Sequence, residues 1–150
     1  MSFQPEVFGK YYLVDRIAVG GMAEIFKAKI FGPGGFEKLL VIKRILLHLS
    51  QNDDFVDMFM DEARISSTLN HSNIVHIFDF GKIKDNYFIA MEFLEGRDLK
   101  TLMKKCQRER RPLPTEFAVY IVHEMCKALD HAHHKKDSQN RELNILHRDY

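Results

Sequence analysis

Little in this sequence is extreme, and each thing it lacks removes a class of explanation. Only two cysteines, Cys106 and Cys126, occur in 150 residues. They have neither metal-ligand spacing nor the density of a secreted disulfide scaffold, and both fall in stretches that read as helical, so they are expected to be packing residues. Net charge is almost nil: 22 Lys and Arg stand against 21 Asp and Glu. That balance gives no support to a nucleic-acid partner or a membrane surface recognised through overall charge. No apolar run approaches the roughly 20 residues of a membrane-spanning helix. The first residues, MSFQPEVFGKYY, lack a basic region followed by an apolar core, so no signal peptide is expected. No repeat or low-complexity segment is found. What remains is one ordinary domain at most, or part of a larger one. Its composition, 45% hydrophobic and 29% charged, is globular, and a cytoplasmic location is expected.

What is present changes character along the chain. The first half reads as short strands: YYLVDRI (11–17) and EIFKAKI (24–30) are of strand length, and VGGMA (19–23) separates them as a turn. FGPGGFEK (31–38) is a second turn segment, and LLVIKRI (39–45) is a nearly continuous apolar run, as a buried strand would be. A helix is expected over 53–69, where Phe55, Phe59, Ser66 and Leu69 share a stripe with Ile65 beside it. NIVHIFDFG (73–81) and NYFIAMEFL (86–94) read as two further strands joined by KIKDN. After Gly96 the pattern turns helical. Residues 98–111 form a charged, helix-permissive segment that PLP (112–114) breaks, and Thr115 is expected to cap the next helix. There Phe117, Ile121, Met125, Leu129 and Ala132 or His133 recur at helical spacing. KKCQRERR (104–111) reads as a solvated helix end and HKKDSQNREL (134–143) as a polar loop.

Three features carry chemistry. AVGGMAEIF (18–26) puts small residues in a turn between strands, which lets backbone N–H groups approach phosphate oxygens without side chains in the way. Taken alone it is also what any tight hairpin looks like. Lys43 closes the apolar run LLVIK, where a lysine is commonly an edge residue whose amine reaches water. Glu62 falls in the middle of the helix stripe, and a carboxylate on a buried face is costly unless a cation meets it. A strand lysine and a helix glutamate would satisfy each other and hold an ammonium where phosphate could meet it. NILHRDY (144–150) then ends the chain, so the order is glycine turn, lysine, glutamate, His-Arg-Asp.

That order resembles the protein-kinase signature set, and most closely that of the bacterial serine/threonine kinases that share the eukaryotic fold. VGGMAEIFKAK is similar to their glycine-rich loop, FEKLLVIKRI to their third strand and DEARISSTLNHSNIVHIFDFG to helix C and the fourth strand. YFIAMEFLEGRDL resembles the hinge, and LDHAHH with NILHRD the end of helix E and the start of the catalytic loop. The resemblance implies an α+β fold. A kinase N-lobe and hinge, a five-stranded antiparallel sheet plus helix C, would occupy residues 1–95. The first helices, D and E, of an incomplete helical C-lobe would occupy 96–150. It also implies ATP and Mg2+ as cofactors and a protein Ser/Thr substrate as partner, with no nucleic acid and no membrane segment. By motif position, Gly20 and Gly21 with the Met22 and Ala23 backbone would cover the phosphates, flanked by Ala18 and Val19. Lys43 would contact the α- and β-phosphates and pair with Glu62. Ile17, Ile25 and Val41 would line the adenine pocket, Met91 would stand at its back, and the Glu92 and Leu94 backbone would bond the adenine edge. Asp149 would orient the substrate hydroxyl and accept its proton. Arg148 resembles the arginine that meets a phosphorylated activation loop, and His147 is expected to be structural.

Two departures and one absence qualify what the resemblance implies. Of the G-x-G-x-x-G glycines only Gly20 stands, with Ala18 and Ala23 at the outer positions, and Ala18 would be strained if the loop needed a positive φ there. Val41 stands where the family often has alanine. The sequence stops one residue after Asp149, so the magnesium ligands are expected beyond it, and these residues alone should transfer little phosphate. Two other readings stay open: a kinase-like module that binds nucleotide or a partner without catalysis, and a small-molecule phosphotransferase of the same fold.

Overall fold

The computed structural model describes residues 3–137, 139–143 and 145. They fall into two units, one of Met1–Asn70 with Val75–Phe93, the other of His71–Ile74 with Leu94–Tyr150. In the first unit six antiparallel strands form one sheet: β1 (Glu6–Phe8), β2 (Tyr11–Val19), β3 (Ala23–Phe31), β4 (Glu37–Ile45), β5 (Ile77–Ile83) and β6 (Asn86–Glu92). Their order is β1-β2-β3-β4-β6-β5. The sheet has one strand more than expected. EVF is too short to show a period, and β1 exists because its three residues pair with Tyr11, Tyr12 and Leu13 of β2. The turn between them needs Gly9, whose φ is +58° and where a Cβ would lie 2.7 Å from Ile83 Cδ1.

Alternation along β4 gives the sheet two cores. Leu40 and Ile42 point to one face and join Phe8, Tyr11, Leu13, Phe26 and Phe88. Ile45 points to the other and packs with Ile89 and three helix residues, Val56, Phe59 and Ala63. The first core is closed by curling of the sheet. The Tyr11 hydroxyl donates to Asp79 Oδ2 at 2.7 Å, and Lys10 Nζ lies 2.8 Å from the same oxygen. These bonds tie the start of β2 to β5, a strand it does not pair with. Burial and the Asp79 contact push the Tyr11 hydroxyl well above its ordinary pKa. At Asp79 burial pushes upward, but hydrogen bonds from Lys10 and Tyr11 outweigh it and hold the carboxyl below its ordinary value.

The helix of this unit, α1 (Asp53–Ser67), starts where the Asn52 side chain accepts the N–H groups of Asp54 and Phe55. Its buried stripe is Val56, Phe59 and Ala63, turned from the expected stripe of Phe55, Phe59, Ser66 and Leu69. Each residue advances about 100° around a helix, so Glu62 sits at the flank of this stripe. Its side chain is 52% exposed, not buried as expected.

The second unit carries α2 (Leu99–Arg108) and α3 (Thr115–His133). Asp98 caps α2, accepting the Thr101 N–H and hydroxyl at 2.7 Å each. Thr115 does not cap α3: it is already helical, Pro114 takes the cap position, and no side chain bonds there. The strand expected from residue 73 begins only at Ile77. Asn73 instead donates to the Glu124 carbonyl at 2.9 Å and carboxylate at 2.6 Å, a bond within the second unit, to which His71–Ile74 belong. That side-chain bond is the chief reason the Glu124 carboxyl sits below its ordinary pKa. Of the expected α3 stripe, Ala132 is buried but Phe117 and Met125 are more than half exposed. The cysteines are not core packing residues either, since Cys126 is exposed and Cys106 only half-buried. Among the described residues no helix is long and apolar enough to cross a membrane.

Candidate functional site

The turn between β2 and β3 is held at its base and open at its tip. Gly20 donates its N–H to the Ala23 carbonyl at 2.8 Å, closing the turn, and Leu46 donates to the Met22 carbonyl at 2.9 Å, docking the turn against the end of β4. Ala23 is buried, while Val19, Gly20 and Gly21 are exposed. Neither glycine is demanded by the fold. Neither has a positive φ, a Cβ on Gly21 would meet nothing within 4 Å, and one on Gly20 would make an ordinary contact with the Ala23 carbonyl. Small residues here leave the backbone approachable from outside. Ala18 is not strained: it lies within β2, and positive φ at non-glycine residues is confined to Lys84, Arg110 and Asn140 among the described residues.

Strand register sets the side chains beneath this turn. Ala18 pairs with Ile25, Ile25 with Lys43, and Lys43 with Ile89, forming one row across four strands. Two residues along, Val41 pairs with Met91. Positions two apart on a strand share a face, so Val41 and Lys43 project together on the α1 side of the sheet. Ile17 sits at a register shift in β2 and is half exposed.

Lys43 meets the carboxylate that the sequence called for. Its Nζ lies 2.5 Å from Glu62 Oε1 and 2.8 Å from Oε2, a two-oxygen grip on one ammonium. The lysine side chain is 24% exposed and the glutamate 52%. Reach, and not relief of a buried carboxylate, brings them together. The Phe59 ring, fully buried, supports the ammonium from below with its centroid 5.7 Å away. A held but accessible ammonium, on a sheet face that ends at a turn whose Gly21 is exposed and open around its Cα, can take a polyphosphate. The apolar side chains of Ile25, Val41 and Met91, from two neighbouring rows of the same face, can take a flat ring.

At the end of β6, Glu92 donates its N–H to the His76 carbonyl at 2.9 Å, and its side chain accepts the His76 N–H at 2.7 Å. Of its backbone only the carbonyl is left for a ligand. Leu94 is exposed and belongs to the second unit. His147, Arg148, Asp149 and Tyr150 lie outside the described residues. Among the described residues no three His, Cys, Asp or Glu side chains converge to hold a metal ion. Phe59 beneath the ammonium went unassigned as a site residue because its stripe position read simply as core.

Comparisons with known proteins agree with this geometry. The sequence profile of the protein kinase domain matches residues 11–150. A tyrosine-protein kinase of Myxococcus xanthus, MasK, is 43% identical over 142 residues, covering 95% of this chain and 22% of its own. The serine/threonine-protein kinase PrkC of Bacillus subtilis is 32% identical over 149 residues, covering 99% of this chain and 21% of its own. Among solved structures, the Mycobacterium tuberculosis PknI kinase domain superposes with a TM-score of 0.67 at 25% identity. That match covers 90% of this chain and 54% of the other. The chain thus spans about a fifth of the length of these curated relatives.

Proposed function

The chain belongs to the protein kinase domain family, and from that premise we propose that its first unit binds ATP and that the protein transfers the γ-phosphoryl group to Ser or Thr hydroxyls of protein substrates. The observation that carries the proposal is the Lys43–Glu62 pair, at 2.5 and 2.8 Å, on the sheet face that ends at an open glycine turn. In this reading Lys43 binds the α- and β-phosphates, and Glu62 keeps its amine from turning away. The backbone of Gly20, Gly21, Met22 and Ala23 covers the phosphates. Ala18 and Val19 flank that turn, and Ile17, Ile25, Val41 and Met91 line the adenine side, with the Glu92 carbonyl at its edge.

Phosphoryl transfer needs little covalent help from a protein; positioning and charge neutralisation supply most of it. Mg2+, entering with ATP, would neutralise phosphate charge; among the described residues no three His, Cys, Asp or Glu side chains converge to hold a metal ion. Asp149 is assigned to the substrate hydroxyl by its place in the His-Arg-Asp motif alone. The division into N-lobe and hinge (1–95) and first part of the C-lobe (96–150), and a cytoplasmic location, belong to the same reading.

One observation favours a second acceptor: the Myxococcus relative is named a tyrosine kinase, whereas PrkC is named a serine/threonine kinase. Labelled transfer from ATP by the full-length protein to a mixed protein substrate, followed by phosphoamino-acid analysis, separates the two. Phosphoserine and phosphothreonine are expected. Phosphotyrosine alone would overturn the Ser/Thr assignment. ATP binding without any transfer would favour the non-catalytic module.

A further inference from the structure

Behind the phosphate-facing side of the sheet runs a chain of charges that the proposed reaction does not use. Alternation puts Arg44 on the face opposite Lys43, with Leu40 and Ile42, so its guanidinium cannot reach anything held by Lys43. Instead it lies over Phe26, with 4.5 Å from Cζ to the ring centroid, and over Phe8 at 5.7 Å. From there it donates to Glu24 Oε2 at 3.2 Å and to Glu6 Oε1 at 3.0 Å. The other oxygen of Glu24 accepts from Arg16 at 3.0 Å. Arg44 and Glu24 are each only 18% exposed.

The positions of these four residues give the chain its meaning. Arg16 is in β2, the strand entering the glycine turn, and Glu24 is in β3, the strand leaving it. Arg44 stands opposite Glu24 in β4, next in sequence to Lys43. Glu6 is in β1, at the far edge of the sheet, and meets β4 only because the sheet curls. The entering strand carries register shifts at Leu13/Asp15 and Arg16/Ala18, so ladder pairing alone fixes it loosely just before the turn. We propose that Arg16, Glu24, Arg44 and Glu6 form a clamp that sets the geometry of the glycine turn from behind, with Arg44 a positioning residue for nucleotide binding. This rests on the reading that the turn covers phosphate. The central Arg44–Glu24 bond is part-buried and so less screened than an exposed pair, while its two arms end on Arg16 and Glu6, which are 42% and 49% exposed. The clamp therefore joins both stems of the turn to the strand that carries Lys43.

The test uses the full-length protein with Arg44→Met and Glu24→Gln, the second in case the first folds poorly, and Lys43→Met as the control for nucleotide binding. Amide hydrogen exchange across residues 18–24 without nucleotide is expected to quicken about tenfold. KM for ATP should rise about five- to tenfold with kcat within about twofold, because the loss is of uniform binding. A purely structural role would lower kcat through the folded fraction and leave KM alone. Arg44→Lys, able to hold only one of the two carboxylates at a time, should fall between. Unchanged exchange in both variants overturns the clamp. So does quickened exchange with unchanged KM while Lys43→Met abolishes ATP binding. If exchange quickens but neither Arg44→Met nor Lys43→Met alters ATP binding, the clamp stands and the nucleotide reading of the turn fails.

Discussion

Replacing Glu62 with Gln separates a functional ion pair from a structural one, because the structure assigns the two roles different magnitudes. The substitution keeps the side chain's shape and removes the charge that grips Lys43 at 2.5 and 2.8 Å. With Glu62 52% exposed and Lys43 24% exposed, the pair belongs with partly screened surface ion pairs, worth about 0.5 kcal/mol. For a domain of this size that lowers Tm by only about 1–2 °C. Activity should suffer far more. A phosphate-binding ammonium displaced by about 1 Å costs roughly 100-fold in rate, which is about 2.7 kcal/mol of barrier. The expected result is thus a nearly intact thermal transition with kcat/KM for phosphoryl transfer down about 100-fold, measured on the full-length protein by labelled ATP and differential scanning fluorimetry. A kcat/KM within about threefold of the parent would refute the reasoning. So would a Tm loss beyond about 10 °C with activity falling in step with the folded fraction, which would make the pair structural.

Two other perturbations test the fold beneath the site. Phe59→Ala removes a fully buried ring that packs on Ile45 and Ile89 and supports Lys43; a loss of about 3–5 kcal/mol in urea unfolding is expected, and a loss below about 1 kcal/mol would contradict the packing described. The Tyr11–Asp79 contact predicts a stability dome with two linked limbs. Tyr11 is raised in the fold, so its contribution is complete below its ordinary value of 10.0 and is lost as pH rises above it. Asp79 is lowered, so its contribution is present above its ordinary value of 3.8 and is lost as pH falls below it. Tyr11→Phe should flatten the alkaline limb of unfolding free energy against pH, and an unchanged limb would refute the assignment.

Much of the architecture was legible because strands and helices announce themselves by period. LLVIKRI alternates onto two faces and became part of β4, and the Gly-rich stretches became turns shorter than expected, at 20–22 and 32–36, because the flanking strands pair up to Val19, Ala23, Phe31 and Glu37. The failures have a common cause. β1 is three residues long and is created by pairing with β2. Asn73 and Ile74, apolar enough in context to be read as the start of a strand, belong instead to the second unit, where the Asn73 side chain bonds to α3. Thr115 lost its capping role to Pro114 by one residue of helix phase.

At the candidate site, the sequence by itself determined which groups exist and their order: a turn of small residues, Lys43 at the end of an apolar strand, Glu62 on the next helix, and a His-Arg-Asp near the end. The near-zero net charge, which likewise depends only on what the chain contains, gave no support to partners recognised through overall charge. The meeting of Lys43 and Glu62, 19 residues apart, was decided by tertiary structure. Strand alternation aimed the lysine at α1, and burial of Val56, Phe59 and Ala63 fixed the helix rotation that leaves Glu62 at its flank. Period alone predicted a buried carboxylate there, because it locates an apolar stripe without saying which edge the sheet will cover. The Arg44–Glu24–Arg16–Glu6 chain was invisible for a stronger reason. Its members lie on four strands, and only the curl of the sheet brings β1 within reach of β4.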